Sequence, residues 1–125
     1  MRVSDIMNKV VAIDENVTLK EAAKIMTERN IGSIIILKGD KIKGLITDRD
    51  ILKNINKSSQ KVASTMSRDV ITIDENESID NAAIIMSENN IRKLPVVSDE
   101  KVVGIVTATD IIKNSDSLNL DFLLD

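Results

Sequence analysis

Apolar and polar positions along this chain follow one pattern written twice. A short apolar segment, Val10-Val11-Ala12-Ile13, reads as a strand. Leu19, Ala22, Ala23 and Met26 then fall at i, i+3, i+4 and i+7, the spacing of one buried helix face. Thr18 with Glu21 supplies a capping-box signature at that helix start. Two strands are predicted next, over Ser33 to Leu37 and Ile42 to Ile46, joined by a turn at Gly39-Asp40. A helix from Asp48 to about Ile55 closes the set. The pattern returns as Val70-Ile71-Thr72-Ile73, then Ile79, Ala82, Ala83 and Met86, then strands over Leu94 to Val97 and Val102 to Val106 around Asp99-Glu100, then a helix from Ala108 to about Lys113.

The repetition extends to residue identity. DENVTLKEAAKIMTERNI at 14–31 matches DENESIDNAAIIMSENNI at 74–91, and the register holds from Gly44, Thr47 and Asp50 to Gly104, Thr107 and Asp110. Met7 and Met66 align one residue out of that register, so one residue is gained between Met66 and Asp74. Each copy reads β-α-β-β-α over roughly 60 residues, a size that buries only about 60% of its unfolded surface and is marginal alone. The expectation is an α/β (α+β-like) fold of two tandem repeats packed sheet to sheet with pseudo-two-fold symmetry. The boundaries are 3–55 for repeat 1, a 56–61 linker, 62–113 for repeat 2 and a 114–125 tail.

Composition narrows the chemistry. The chain has 125 residues, no cysteine and no histidine. Disulfides, thiolate nucleophiles, Cys/His metal sites and the usual general base are absent with them. Net charge is −3 with acids and bases interleaved, and Phe122 is the single aromatic, so no basic stripe or stacking platform for nucleic acid exists. No apolar run approaches the roughly 18 residues of a membrane span, and Arg2, Asp5 and Lys9 interrupt any signal-peptide pattern, so a cytoplasmic location is expected.

The candidate site is the doubled element GLITDRDI at 44–51 and GIVTATDI at 104–111. Thr followed three residues later by Asp is a capping box, and that alone explains it. A second use is suggested by the strand glycines Gly44 and Gly104, which mark close approach of a ligand or of another backbone. Arg49 inside the first box and the recurrence of the whole element point the same way. Helix-start N–H groups suit phosphate, and a carboxylate suits a vicinal diol, as in dinucleotide-binding folds.

These residues carry a family resemblance. VSDIM and VASTM, AAKIM and AAIIM, NIGSIII and NIRKLPVV, and GLITDRD and GIVTATD make the chain similar to a CBS-domain pair, or Bateman module, over about residues 3 to 113. The resemblance implies a non-catalytic regulatory module binding AMP, ADP, ATP or S-adenosylmethionine in clefts between the repeats and signalling occupancy to a partner. It implies ribose contacts from Asp50 and Asp110. Ribose or phosphate contacts would come from Thr47, Thr107, Thr109, Arg49, Arg92 and Lys93. Adenine would be flanked by Val11, Ala12, Ile13, Ile71, Thr72, Ile73, Ile35 and Pro95. No cofactor is required and no metal site or membrane contact is expected; the adenosyl compound is a regulatory ligand. Gly32-Ser33 stands where repeat 2 has Arg92-Lys93, so the two sites are expected to be unequal, and the few cations favour a mono- or diphosphate.

The family also implies a homodimer through the repeat helices. Ile84 replaces Lys24 and widens the apolar arc of its helix, so it is expected inside the module or at a subunit interface. The tail residues Leu118, Leu120, Phe122, Leu123 and Leu124 are expected to pack on the module or dock a partner. An assembly module with vacant clefts is the alternative function. A nucleotide-acting enzyme is a weaker one, since no Walker-type loop or nucleophile signature is present.

Overall fold

The computed structural model describes residues 1–115; the tail segment in which an apolar docking role was expected lies beyond them. The described residues divide into two compact units, Val10–Val70 and Met1–Lys9 with residues 71–115.

The first unit holds β1 (Ala12–Ile13), α2 (Leu19–Arg29), β2 (Ser33–Lys38), β3 (Lys41–Thr47) and α3 (Asp48–Lys53); α1 (Val3–Ile6) precedes these in the chain. The second holds α1 with β4 (Ile73–Asp74), α4 (Ile79–Asn89), β5 (Lys93–Ser98), β6 (Lys101–Thr107) and α5 (Ala108–Lys113). Short 3-10 turns cover Ile55–Lys57 and Val62–Ser64. Each unit has a three-stranded sheet, ordered β1-β2-β3 or β4-β5-β6, whose first pair is parallel and second antiparallel.

Strand alternation makes the core. Ile34, Ile36 and Ile46 meet Leu19, Ala22 and Met26 of α2 in one unit, and Leu94, Val96 and Val106 meet Ala82 and Met86 of α4 in the other. Residues at period 2 on a strand and at i, i+3, i+7 on a helix are those that can share such a face. Thr18 Oγ1 accepts the Glu21 N–H and Ser78 Oγ accepts the Asn81 N–H, satisfying helix-start donors. Both helices end on asparagine in the left-handed conformation, Asn30 at φ 53° and Asn90 at φ 54°. Asparagine tolerates that region better than other side chains do.

Sequence repeats and compact units are offset by one segment. The leader of each repeat belongs to the unit built from the other repeat. Val62 donates to the Val17 carbonyl at 2.8 Å, and Val3 donates to the Glu77 carbonyl at 2.8 Å. Leu19 N–H is received by Gln60 O at 2.8 Å and Ile79 N–H by Met1 O at 3.1 Å. Val3 and Val62 are fully buried, each in the core that its leader joins. Residues 58–61, read from the sequence as linker, are thus bonded to the start of α2: Lys20 N–H donates to Ser58 O at 2.9 Å and Lys61 bridges Thr18.

Candidate functional site

Each sheet delivers its last strand into a helix at one corner. Thr47 ends β3 and caps α3; Thr107 ends β6 and caps α5. At the first corner Asp50 Oδ2 accepts from Thr47 N–H at 2.9 Å and from its hydroxyl at 3.0 Å, while Thr47 Oγ1 accepts the Asp50 N–H at 3.3 Å. At the second corner Asp110 Oδ2 accepts from Thr107 N–H at 2.9 Å and from its hydroxyl at 2.7 Å, and Thr107 Oγ1 accepts the Asp110 N–H at 3.2 Å. Both are complete capping boxes. The box consumes one carboxylate oxygen of each aspartate. The other, Oδ1, accepts no hydrogen bond among the described residues, and both aspartates are half-buried. A carboxylate so held keeps unused lone pairs on Oδ1, which is what recognition of a diol or other paired donor needs.

Three neighbours distinguish the corners. Asn8, from the leader of repeat 1, donates its amide to Asp110 Oδ2 at 2.7 Å. Its counterpart beside Asp50 is Ser67: Asn8 exchanges both backbone bonds with Ile105, and Ser67 exchanges both with Leu45. Asp48 Oδ1 accepts the Arg49 N–H at 2.8 Å, whereas Ala108 leaves Thr109 N–H with no such acceptor. Arg92 O receives the Ala108 N–H at 2.8 Å, and Lys93 pairs with Thr107 across β5 and β6, so the basic pair stands at the Asp110 corner. Gly32 and Ser33 hold the same places at the Asp50 corner. Arg49, Thr109 and Arg92 are exposed.

The strand glycines have a definite neighbour. A Cβ at Gly44 would stand 2.5 Å from Met66 Sδ and 2.9 Å from the Ser67 carbonyl oxygen. One at Gly104 would stand 2.7 Å from Met7 Sδ and 2.9 Å from the Asn8 carbonyl oxygen. The chain's own leader segments, rather than open space for a ligand, press on these two positions.

The residues expected around adenine divide by face. Val11 is half-buried and its carbonyl accepts the Ile35 N–H at 3.0 Å. Ala12 is exposed and pairs with Ile35. Ile13 packs against the core of its unit, and Ile73 is buried within the equivalent core, which commits both side chains to packing. Ile71 and Thr72 are exposed. Ile35 and Pro95 are fully buried and alternate with the core-facing Ile34, Ile36, Leu94 and Val96, so they lie on the opposite sheet face. Pro95 has no N–H to return to β4, where Ile35 has one for β1, and β4 accordingly starts at Ile73 rather than at Thr72.

Asn8 was invisible to pattern reading. It aligns with a serine, and its bond to Asp110 spans 102 residues. The one available clue is its position immediately after Met7, the leader methionine that the repeat does preserve. Among the described residues no cluster of three metal-ligating side chains occurs, and no helix is long and apolar enough to cross a membrane.

A doubled α/β unit with this corner defines a class, and the family comparison agrees: the CBS domain model matches residues 3–57 and 62–117, and the chain belongs to the CBS-domain family as a tandem pair. A crystal structure of the CBS domain pair of protein MJ0100, in complex with 5′-methylthioadenosine and S-adenosyl-L-methionine, superposes with a TM-score of 0.85 at 40% identity, covering 90% of this chain and 94% of that one. The CBS domain-containing protein YhcV of Bacillus subtilis is 33% identical over 90% of this chain and 84% of its own length. The uncharacterized protein MJ1232 of Methanocaldococcus jannaschii is 42% identical, but this chain spans only 39% of it. Several other relatives are likewise much longer: the chain spans 22% of an L-aspartate semialdehyde sulfurtransferase from the same organism.

Proposed function

We propose that the chain is a non-catalytic, cytoplasmic sensor that takes adenosine-containing ligands at its two Thr-x-x-Asp corners and transmits their occupancy to a partner protein. The observation that carries this reading is the pair of aspartates, each bonded through Oδ2 and, among the described residues, open at Oδ1, in a chain 40% identical to a pair solved with two adenosyl ligands. Asp50 and Asp110 would receive the ribose diol. Arg92, Lys93 and Thr109 favour a phosphorylated ligand at the Asp110 corner. Asp48 beside Arg49 offsets that guanidinium and makes the Asp50 corner better suited to an uncharged or sulfonium-bearing adenosyl compound. Ligand bound to the native state raises its stability by mass action, and a ligand that prefers one arrangement of the chain shifts it toward that arrangement.

A second copy of the chain is the partner proposed for α4. Ile84 is 52% exposed within the chain, so of its two expected places the interior of the module is excluded; its counterpart Lys24 is a solvated cation. A thermal-shift panel of AMP, ADP, ATP, 5′-methylthioadenosine, S-adenosylmethionine and NAD tests the main reading. At least one should raise the Tm of the wild type by several degrees, and less so in Asp50→Ala or Asp110→Ala. Silence across the panel would favour a purely structural module instead.

A further inference from the structure

We infer that Asn8 is a positioning residue for the Asp110 corner and makes it the more diol-selective of the two sites; this rests on the adenosyl-ligand reading above. Asp110 Oδ2 receives three donors, from Thr107 N–H, the Thr107 hydroxyl and Asn8 Nδ2 at 2.7 Å. The first two come from a residue three positions away and turn with the same helix start. The third comes from a separate segment whose own backbone is fixed on both sides, by Asn8 N–H to Ile105 O at 2.8 Å and Ile105 N–H to Asn8 O at 3.0 Å.

A carboxylate gripped from two directions cannot swing about its terminal torsion, which is otherwise broad. Oδ1 is therefore presented in one orientation, and a ligand hydroxyl pair meets an acceptor that has already lost its freedom. Asp50 lacks this second grip. Ser67 occupies the equivalent backbone position, bonded to Leu45 at 2.9 Å and 3.0 Å, and its hydroxyl makes no bond to Asp50 among the described residues. This difference in grip comes from one side chain, Asn8 against Ser67, on a backbone frame that is repeated.

The same bond ties the leader of repeat 1 to the occupancy of the repeat-2 site. Val3, Met7 and Asn8 follow one another into the second unit, with Val3 in its core and Met7 against it. A ligand that pulls on Asp110 pulls on that leader as well.

The test is calorimetry with AMP and 2′-deoxy-AMP on wild type, Asn8→Ala and Asn8→Ser. Asp50→Ala and Asp110→Ala assign the binding steps. Removing this one positioning bond, which the ligand does not itself make, should cost about twofold to tenfold in affinity. The Asp110-dependent step for AMP should weaken by that factor in both Asn8 variants, any Asp50-dependent step should not change, and the 2′-deoxy analogue should lose little further. The reciprocal Ser67→Asn should tighten the Asp50-dependent step. Equal weakening of both compounds, or no weakening of either, overturns the role of Asn8 while leaving the adenosyl site standing. Absence of any Asp110-dependent binding in the wild type removes the site and the inference together.

Discussion

At the Asp50 corner the carboxylate is held by Thr47 alone, the first helical residue is Asp48, and Gly32-Ser33 stand at the start of the neighbouring strand β2. At the Asp110 corner the carboxylate is held by Thr107 and Asn8, the first helical residue is Ala108, and Arg92-Lys93 stand at the start of β5. Everything that builds the corner is the same in both: the Thr-Asp box, the strand glycine under a leader methionine, the asparagine that closes the preceding helix. Of what differs, Arg49, Thr109 and Arg92 are exposed, and Asn8 reaches the capping oxygen of Asp110. On the function proposed above, ligand specificity would lie with Asn8, Arg49, Thr109 and Arg92 rather than with the shared aspartates.

The glycine–methionine contacts offer the hardest way to break that symmetry. Gly44→Ala and Gly104→Ala should each cost about 1–3 kcal/mol in chemical denaturation, the usual penalty for forcing volume into a packed site. The methionine can yield, but the carbonyl oxygens of Ser67 and Asn8 at 2.9 Å cannot do so without moving the leader. Gly104→Ala should also disturb the Asp110 site through Asn8, whereas Gly44→Ala has no such side chain to displace. Removing a cap is milder. Thr47→Ala and Thr107→Ala should each lose about 1 kcal/mol, since each strips an N-cap acceptor. Similar losses in the two variants would support the equivalence of the frames.

The hairpin turns give the smallest test. Gly39 takes a positive φ of 63° at no steric cost, while repeat 2 places Asp99 at 49° and Glu100 at 67° in the corresponding turn. A left-handed glutamate costs on the order of 1 kcal/mol. Glu100→Gly should recover up to about that amount in denaturant melts, offset in part by the extra freedom glycine gives the unfolded chain.

Much of this was legible because it is local. Helix faces at 3.6-residue spacing, strands at two, and caps at i to i+3 are written within ten residues of one another, and the helices α2 and α4 and both hairpins fall where those patterns put them. The apolar segments before them were read too long. Only Ala12–Ile13 and Ile73–Asp74 find ladder partners, and Pro95 removes one of those available to β4. The exchange of leaders was not legible. Val3 and Val62 sit in helical turns of four and three residues, too short to carry a period, and their partners lie in the other repeat. The candidate aspartates were visible as a repeated motif. Their unequal surroundings were visible at aligned positions of the two repeats, in Arg49 against Thr109 and in Gly32-Ser33 against Arg92-Lys93, and not where they depended on the leader residue Asn8.

Isothermal titration of the wild type, Asp50→Ala and Asp110→Ala with an adenosyl ligand chosen from the thermal-shift panel tests the central claim most directly. Two unequal sites on a common frame predict two resolvable affinities in the wild type, with each substitution removing a different one. Binding that survives both substitutions, or a single affinity weakened equally by either, would contradict it.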